Sequence, residues 1–283
     1  MPESYPILNS LILEQTGESS YRGPSVPSEV RPVVFGGQLM GQMIVAATTS
    51  LPGKTVRSLH AIFARAGTVK EPVDLEVDVM HSGRALGSVS VTARQGDRLL
   101  SRGLLLLDAG EPDLIRHSEP KPAVAGPDET KPRGWEAGAE VRIVDEVDLM
   151  TSAVTGPPEL YVWTRFSHAP DDQAVHQALL SWYTDPFLIA SAMRPHDGVG
   201  QDMAHDTIST GVITHTLSFH EPVDATKWNL LANRSIFAGH GRTYGMGQVF
   251  TEDGQQVASY VQDNLVRAFR DEPGARGKGT LAM

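Results

Sequence analysis

The sequence predicts an α+β protein in which one folding unit occurs twice. Three observations carry this expectation. The first is a repeated hairpin: HSGRALGSVSVTARQGDRLLSRGLLLL, residues 81–107, has a counterpart in FAGHGRTYGMGQVFTEDGQQVASYVQDNLV, residues 237–266. Aligning Gly83-Arg84 with Gly241-Arg242 sets an offset of 158 residues, which also matches Gly87 to Gly245, Val91 to Val249, Gly96 to Gly254, Ser101 to Ser259 and Leu107 to Leu265 without a gap. A fixed period over a whole hairpin is the mark of a duplicated unit. The second observation is element order, a helical stretch followed by several strands with no βαβ alternation, which favours an antiparallel α+β unit. The third is a Pro- and Gly-rich break between the two copies.

The elements follow in order. Ile7 to Thr16 reads as a short amphipathic helix, and Gly17 to Pro32 as a polar loop. FGGQLMGQMIVAATTSL, residues 35–51, reads as a helix opened by Gly36-Gly37, with Leu39, Met43 and Ala46-Ala47 at helical spacing and Pro52-Gly53 as its stop. Strands are expected at Val56–Ala64, Val73–His81 and in the first hairpin, which ends near Asp108. Prolines 120, 122, 127 and 132 then mark residues 116–140 as an extended linker. The first unit is thus residues 1–115 and the second 141–283. The second opens with strands at Val141–Val147 and Leu160–Phe166. A helix follows Asp171-Asp172, an acidic pair suited to a helix amino terminus. Pro186 falls inside this helix and must kink it or restart it with Asp185 as N-cap. Strands at Thr207–His220 and Asn229–Ile236 and the second hairpin complete the copy. His60 and His215 correspond at a separation of 155 residues.

Composition excludes several functions. Acidic residues outnumber basic ones 34 to 24, which argues against nucleic acid and anionic membrane surfaces as partners. The absence of cysteine rules out disulfides, thiolate metal sites and a cysteine nucleophile. No signal peptide and no membrane-length apolar run is present, so a cytoplasmic protein is expected. Gly-x-Ser-x-Gly, His-Glu-x-x-His and the phosphate-binding Gly-x-x-x-x-Gly-Lys motif are all missing, and the ten histidines stand singly. No cofactor and no metal is expected. GHGRTYG, residues 239–245, has the wrong glycine spacing for a dinucleotide loop and leads into a strand.

Three polar residues of the second copy are candidates for chemistry. Asp185 stands in the apolar segment TDPFLIASAM and equally suits a helix cap. Thr214 shares a strand face with Thr216, Ser218 and His220, the pattern of a solvated face, while Ile213, Leu217 and Phe219 point the other way. Gln262 replaces Leu104 of the first copy and is either an exposed edge residue or a site.

Four stretches, RPVVFGGQLMGQMIVAA (31–47), SLHAIFARAG (58–67), THTLSFHEP (214–222) and DGQQVASYVQDNLVR (253–267), give the chain its resemblance to the acyl-CoA thioesterase II family, the double hot-dog thioesterases. That resemblance implies a tandem hot-dog fold, two long helices each wrapped by an antiparallel sheet. It implies hydrolysis of fatty acyl-CoA to free acid and CoA, with acyl-CoA as substrate and catalysis by Asp185 and Gln262. The family's hydroxyl residue falls at Val212 in this chain, and Thr214, two residues on, is expected to supply the hydroxyl instead. The alternative is an acyl-CoA binder of little or no activity, marked by Val212. A hydratase ranks below both, because neither copy carries an Asp-x-x-x-x-His helix entry. The two units that single hot-dog proteins bring together as a dimer are already present in one chain, and a homo-oligomer remains possible.

Overall fold

The computed structural model describes residues 5–28, 32–132, 135–136 and 138–269. Residues 1–4, 29–31, the linker positions 133, 134 and 137, and residues 270–283 at the end of the second unit lie outside the described residues. In chain order come α1 (Pro6–Ser10), β1 (Glu14–Gln15), β2 (Ser20–Gly23), α2 (Gly36–Ser50), β3 (Thr55–Phe63), β4 (Val73–Ser82), β5 (Leu86–Gln95) and β6 (Arg98–Asp108). After the connection follow β7 (Trp135–Glu136), β8 (Ala139–Ile143), β9 (Glu159–Phe166), α3 (Gln173–Thr184), α4 (Phe187–Met193), β10 (Ile208–Phe219), β11 (Asn229–Gly239), β12 (Arg242–Thr251) and β13 (Gln256–Ala268). The strands form one antiparallel sheet in the order β1-β2-β4-β5-β6-β3-β10-β13-β12-β11-β9-β8-β7. Pairing of β3 with β10 joins the two halves at its centre.

The duplication is therefore visible in the strand order, but the two long helices are not both present. The first unit has α2, of 15 residues. In the second unit Pro186 ends α3 after 12 residues and a helix of 7 restarts at Phe187. Proline has no N–H to continue the ladder and crowds the preceding turn. The amino-terminal helix is also shorter than expected. It stops at Ser10, and Glu14-Gln15 turn outward to pair with Tyr21 and Arg22.

Helix α2 lies between the sheet and α3, so its apolar residues do not form a single stripe. Leu39, Met40, Met43, Ile44, Ala46 and Ala47 are all buried. Full burial of a Leu, Ile or Met is worth roughly 1.5–3 kcal/mol each, so this helix is a main source of stability. Two glycines set how close α3 comes. A Cβ on Gly37 would lie 2.7 Å from the Trp182 Cα, and one on Gly41 would lie 3.2 Å from the Ala178 carbonyl oxygen. Phe35 closes the end of the contact by packing on Trp182, with ring centroids 4.8 Å apart.

The connection between the units is extended and also packed. Residues 109–126 contain neither helix nor strand. Val124 and Ala125 nonetheless cover an outer cluster of Val144, Trp163, Trp228, Leu230 and Phe250. The Trp163 indole donates to the Ala125 carbonyl at 2.9 Å. Beside it, Glu140 accepts from Arg142 and Arg165, and both guanidinium groups lie over the Trp228 ring. Burial alone would raise the Glu140 carboxyl, but hydrogen bonds from Arg165 and Arg142 and their charges outweigh it and hold it below the ordinary carboxylate value of 4.5. A carboxyl depressed in the fold stabilises fully above its unfolded value and loses that contribution as pH falls through its folded one. Glu140→Gln is therefore expected to cost about 2 kcal/mol at pH 7, and the gap to wild type should close as the pH falls below 4.5. Thermal melts of both proteins between pH 7 and pH 3 check this; a pH-independent gap would refute it.

Candidate active site

The break at Pro186 places an acid at the centre of the molecule. Asp185 ends α3 in helical geometry, and Pro186 occupies the N-cap position of α4 without a side-chain cap bond. Asp185 is thus not the N-cap of the restarted helix, and its carboxylate is left for other use. It is 4% exposed, and Oδ1 has no hydrogen-bond partner among the described residues. The carboxylate lies against the start of α2: a Cβ on Gly36 would stand 3.1 Å from each of its oxygens and 3.2 Å from the Phe63 ring. A side chain at position 36 would press the acid and the Phe63 ring back by a few tenths of an ångström, so glycine gives the carboxylate its closest approach to this backbone. Gln38 and Leu39 donate to the Phe35 carbonyl, while the N–H groups of Gly36 and Gly37 precede the first turn and find no acceptor among the described residues. The positive end of α2 therefore faces the carboxylate.

Gln262 reaches the same point from the sheet. It is fully buried on β13, and its amide nitrogen lies 3.1 Å from the carbonyls of Thr184 and Asp185. These are carbonyls that the proline break leaves without helical donors. Its Oε1 is buried with no partner among the described residues. The same amide nitrogen is 2.9 Å from Nδ1 of His215, a fully buried residue directly opposite Gln262 on β10. His215 Nδ1 is also 3.7 Å from Asp185 Oδ1, and Nε2 is 3.2 Å from the Thr184 hydroxyl.

Thr214 does not join this group. Its strand partners are Ile62 and Asp263, both on the outer face, where Ile62 is 60% exposed and Asp263 pairs with Arg242. The reason is a bulge: the β10–β13 register shifts between Val212 and Thr214, so Ile213 is extra and the two residues face opposite ways. Thr214 was expected to stand in for Val212 because residues two apart on a regular strand share a face, and the extra residue breaks that spacing. Val212 is the one on the inner side, packed with Ile189, Met193 and Ile208. The hydroxyl next to the acid belongs to Thr184, which donates to the Ser181 carbonyl at 2.9 Å.

The bulges also correct the comparison of the two copies. Leu59 lies opposite Leu105 as His215 lies opposite Gln262, and β3 carries its own bulge between Val56 and Ser58. The copies therefore correspond at 156 residues on β3 and β10, and at 157 on β6 and β13, because the second hairpin turn holds one more residue. Gln262 replaces the buried Leu105, not Leu104, which faces solvent at 51% exposure. A slip of one residue exchanges the faces of a strand. His215 likewise replaces Leu59, and His60 corresponds to Thr216, its hydrogen-bond partner across the central seam. Sequence reasoning missed His215. The available signal was a polar residue in phase with Leu217 and Phe219.

Two units of helix and antiparallel sheet, fused edge to edge around a central acid, define a class of fold. A hot-dog-fold protein of unknown function from Alicyclobacillus acidocaldarius superposes with a TM-score of 0.75 at 18% identity, covering 94% of this chain and 100% of its own. The family is given by sequence. Residues 25–107 match the model of the acyl-CoA thioesterase N-terminal domain and residues 116–266 that of the acyl-CoA thioesterase C-terminal domain, so the chain belongs to the acyl-CoA thioesterase family. It is 27% identical to acyl-CoA thioesterase 2 of Haemophilus influenzae over 92% of this chain and 98% of that protein. It is 25% identical to human acyl-coenzyme A thioesterase 8 over 91% and 87% respectively. The structure of the acyl-CoA thioesterase II TesB2 from Mycobacterium marinum superposes with a TM-score of 0.79 at 27% identity, covering 93% and 99%.

Proposed function

We propose that this protein hydrolyses acyl-CoA thioesters by a water molecule activated at Asp185. The single observation that carries the reading is the buried Asp185 carboxylate against the first glycine of α2, with Gln262 on the same helix break. Hydrolysis of a thioester needs a base for the water, a group that orients it, and donors for the oxyanion. Asp185 takes the proton as the water oxygen bonds to the carbonyl carbon. The unpartnered Oε1 of Gln262 accepts the second water proton and fixes the line of attack. The amides of Gly36 and Gly37 meet the developing oxyanion. Collapse of the tetrahedral species expels the CoA thiolate, which takes up a proton, and leaves the free acid. No covalent acyl-enzyme is needed. Thr214 has no part in this scheme because of its outward position.

The competing reading, an acyl-CoA binder without turnover, is favoured by Val212 on the inner face. Thiol release from a long-chain acyl-CoA, followed with a chromogenic disulfide, decides between them. The wild type is expected to turn over many equivalents, and Gln262→Ala to lose about 10²-fold in kcat. Stoichiometric binding without thiol release would leave only the second reading.

A further inference from the structure

We infer that His215 is a positioning residue of the proposed hydrolytic site, acting through the amide of Gln262; this rests on the hydrolase reading above. The argument is an accounting of protons. The Thr184 hydroxyl has one proton and gives it to the Ser181 carbonyl at 2.9 Å, so toward His215 Nε2 at 3.2 Å it can only accept. Nε2 therefore carries a ring proton, and the Gln262 nitrogen, which can only donate, makes Nδ1 the acceptor. Among the described residues the donor within reach of Nδ1 is the Gln262 amide at 2.9 Å, its shortest contact. A directed chain results, from Gln262 through His215 and Thr184 to Ser181. The two amide protons are shared among Nδ1 and the carbonyls of Thr184 and Asp185, all on the nitrogen side, so the carboxamide has a single orientation and its oxygen is the end turned toward the reaction.

The surroundings of His215 support this assignment. The ring is fully buried, stacks on Tyr260 at 5.7 Å between centroids and faces Ala61 across the central seam. Asp185 is the charged group that approaches it, and Oδ1 at 3.7 Å is beyond hydrogen-bond distance. In the first unit the paired positions are Leu59 and Leu105, so the fold needs neither polar residue at this place in the sheet. The His–Gln pair is confined to the copy that carries Asp185.

Three substitutions separate the two ring nitrogens. His215→Asn keeps an acceptor near Nδ1, His215→Gln keeps a polar group near Nε2, and His215→Leu, the residue of the other copy, keeps neither. His215→Leu and His215→Gln are expected to lower kcat by about 10- to 100-fold with KM within about twofold, and His215→Asn to recover most of that loss. Melting temperatures identify any variant that has merely unfolded, and the comparison is then made between Asn and Gln alone, whose polar content is equal. Equal kcat for Asn and Gln, or recovery by Gln rather than Asn, would overturn the assignment. If instead the wild type releases no thiol, it is the hydrolase reading that fails.

Discussion

Asp185→Asn is expected to lower kcat for acyl-CoA hydrolysis by about 10³-fold while leaving KM within a few-fold and the fold intact. The substitution keeps shape and volume and removes only the ability to take a proton. Stability should hold for a specific reason. Among the described residues the carboxylate, 4% exposed, has no hydrogen bond on Oδ1 and meets the His215 ring at 3.7 Å as its basic neighbour. Removing the charge relieves a desolvation cost and gives up the attraction of the positive end of α2, two effects of opposite sign, so the melting temperature should stay close to that of the wild type. The combination discriminates well, because an acid placed there for structure would show the reverse: preserved turnover and a lower melting temperature. Steady-state thiol release and a thermal melt on one preparation provide both numbers. Turnover within tenfold of wild type would remove Asp185 from the mechanism.

How much of this was legible in the sequence depended on whether a feature survives a shift of one residue. The duplication survives it. Alternation and turn chemistry repeat over a whole hairpin, so the two units could be read although the offset of 158 differs from the 156 and 157 of the folded chain. Face assignments do not survive it, since a strand has a side-chain period of two. The offset of 158 sets Gln262 against Leu104, a solvent-facing residue, whereas the folded chain sets it against the buried Leu105, a sharper contrast. No local signal in VITHT marks the bulge at Ile213, so the sequence keeps Thr214 in phase with Val212; only the pairing with Asn264 and Asp263 separates them. Asp185-Pro186 was a different kind of ambiguity. The sequence required a break in the helix, but which residue would cap the new one depended on where Gln262 and Gly36 approached. His215 was legible in principle, as the polar member of an inner face shared with Leu217 and Phe219.

Gly37→Ala is the second expected large effect, and it links packing to chemistry. Helix propensity alone favours alanine by roughly 1 kcal/mol within a helix, and rather less at its first turn. The contact distances decide otherwise. The new Cβ would stand 2.7 Å from the Trp182 Cα, 2.9 Å from its carbonyl oxygen and 2.9 Å from the Phe35 ring. Two of those three atoms are backbone, so no side-chain rotation relieves the clash, and α2 must move away from α3. Overpacking of this kind typically costs about 1–3 kcal/mol, which exceeds the propensity gain. The displacement also acts on the site, because Gly36 is the adjacent residue and holds the Asp185 carboxylate against the helix start. A shift of about 1 Å between acid and oxyanion donors can lower turnover by about 10²-fold. Gly37→Ala should therefore lower both the melting temperature and kcat, whereas Gly53→Ala, in an open left-handed turn after α2 with nothing near its Cβ, should cost some stability and no activity. A Gly37→Ala protein that melts at the wild-type temperature with undiminished kcat would show that the start of α2 is not held by this contact and that the donors of Gly36 and Gly37 are not what the reaction uses.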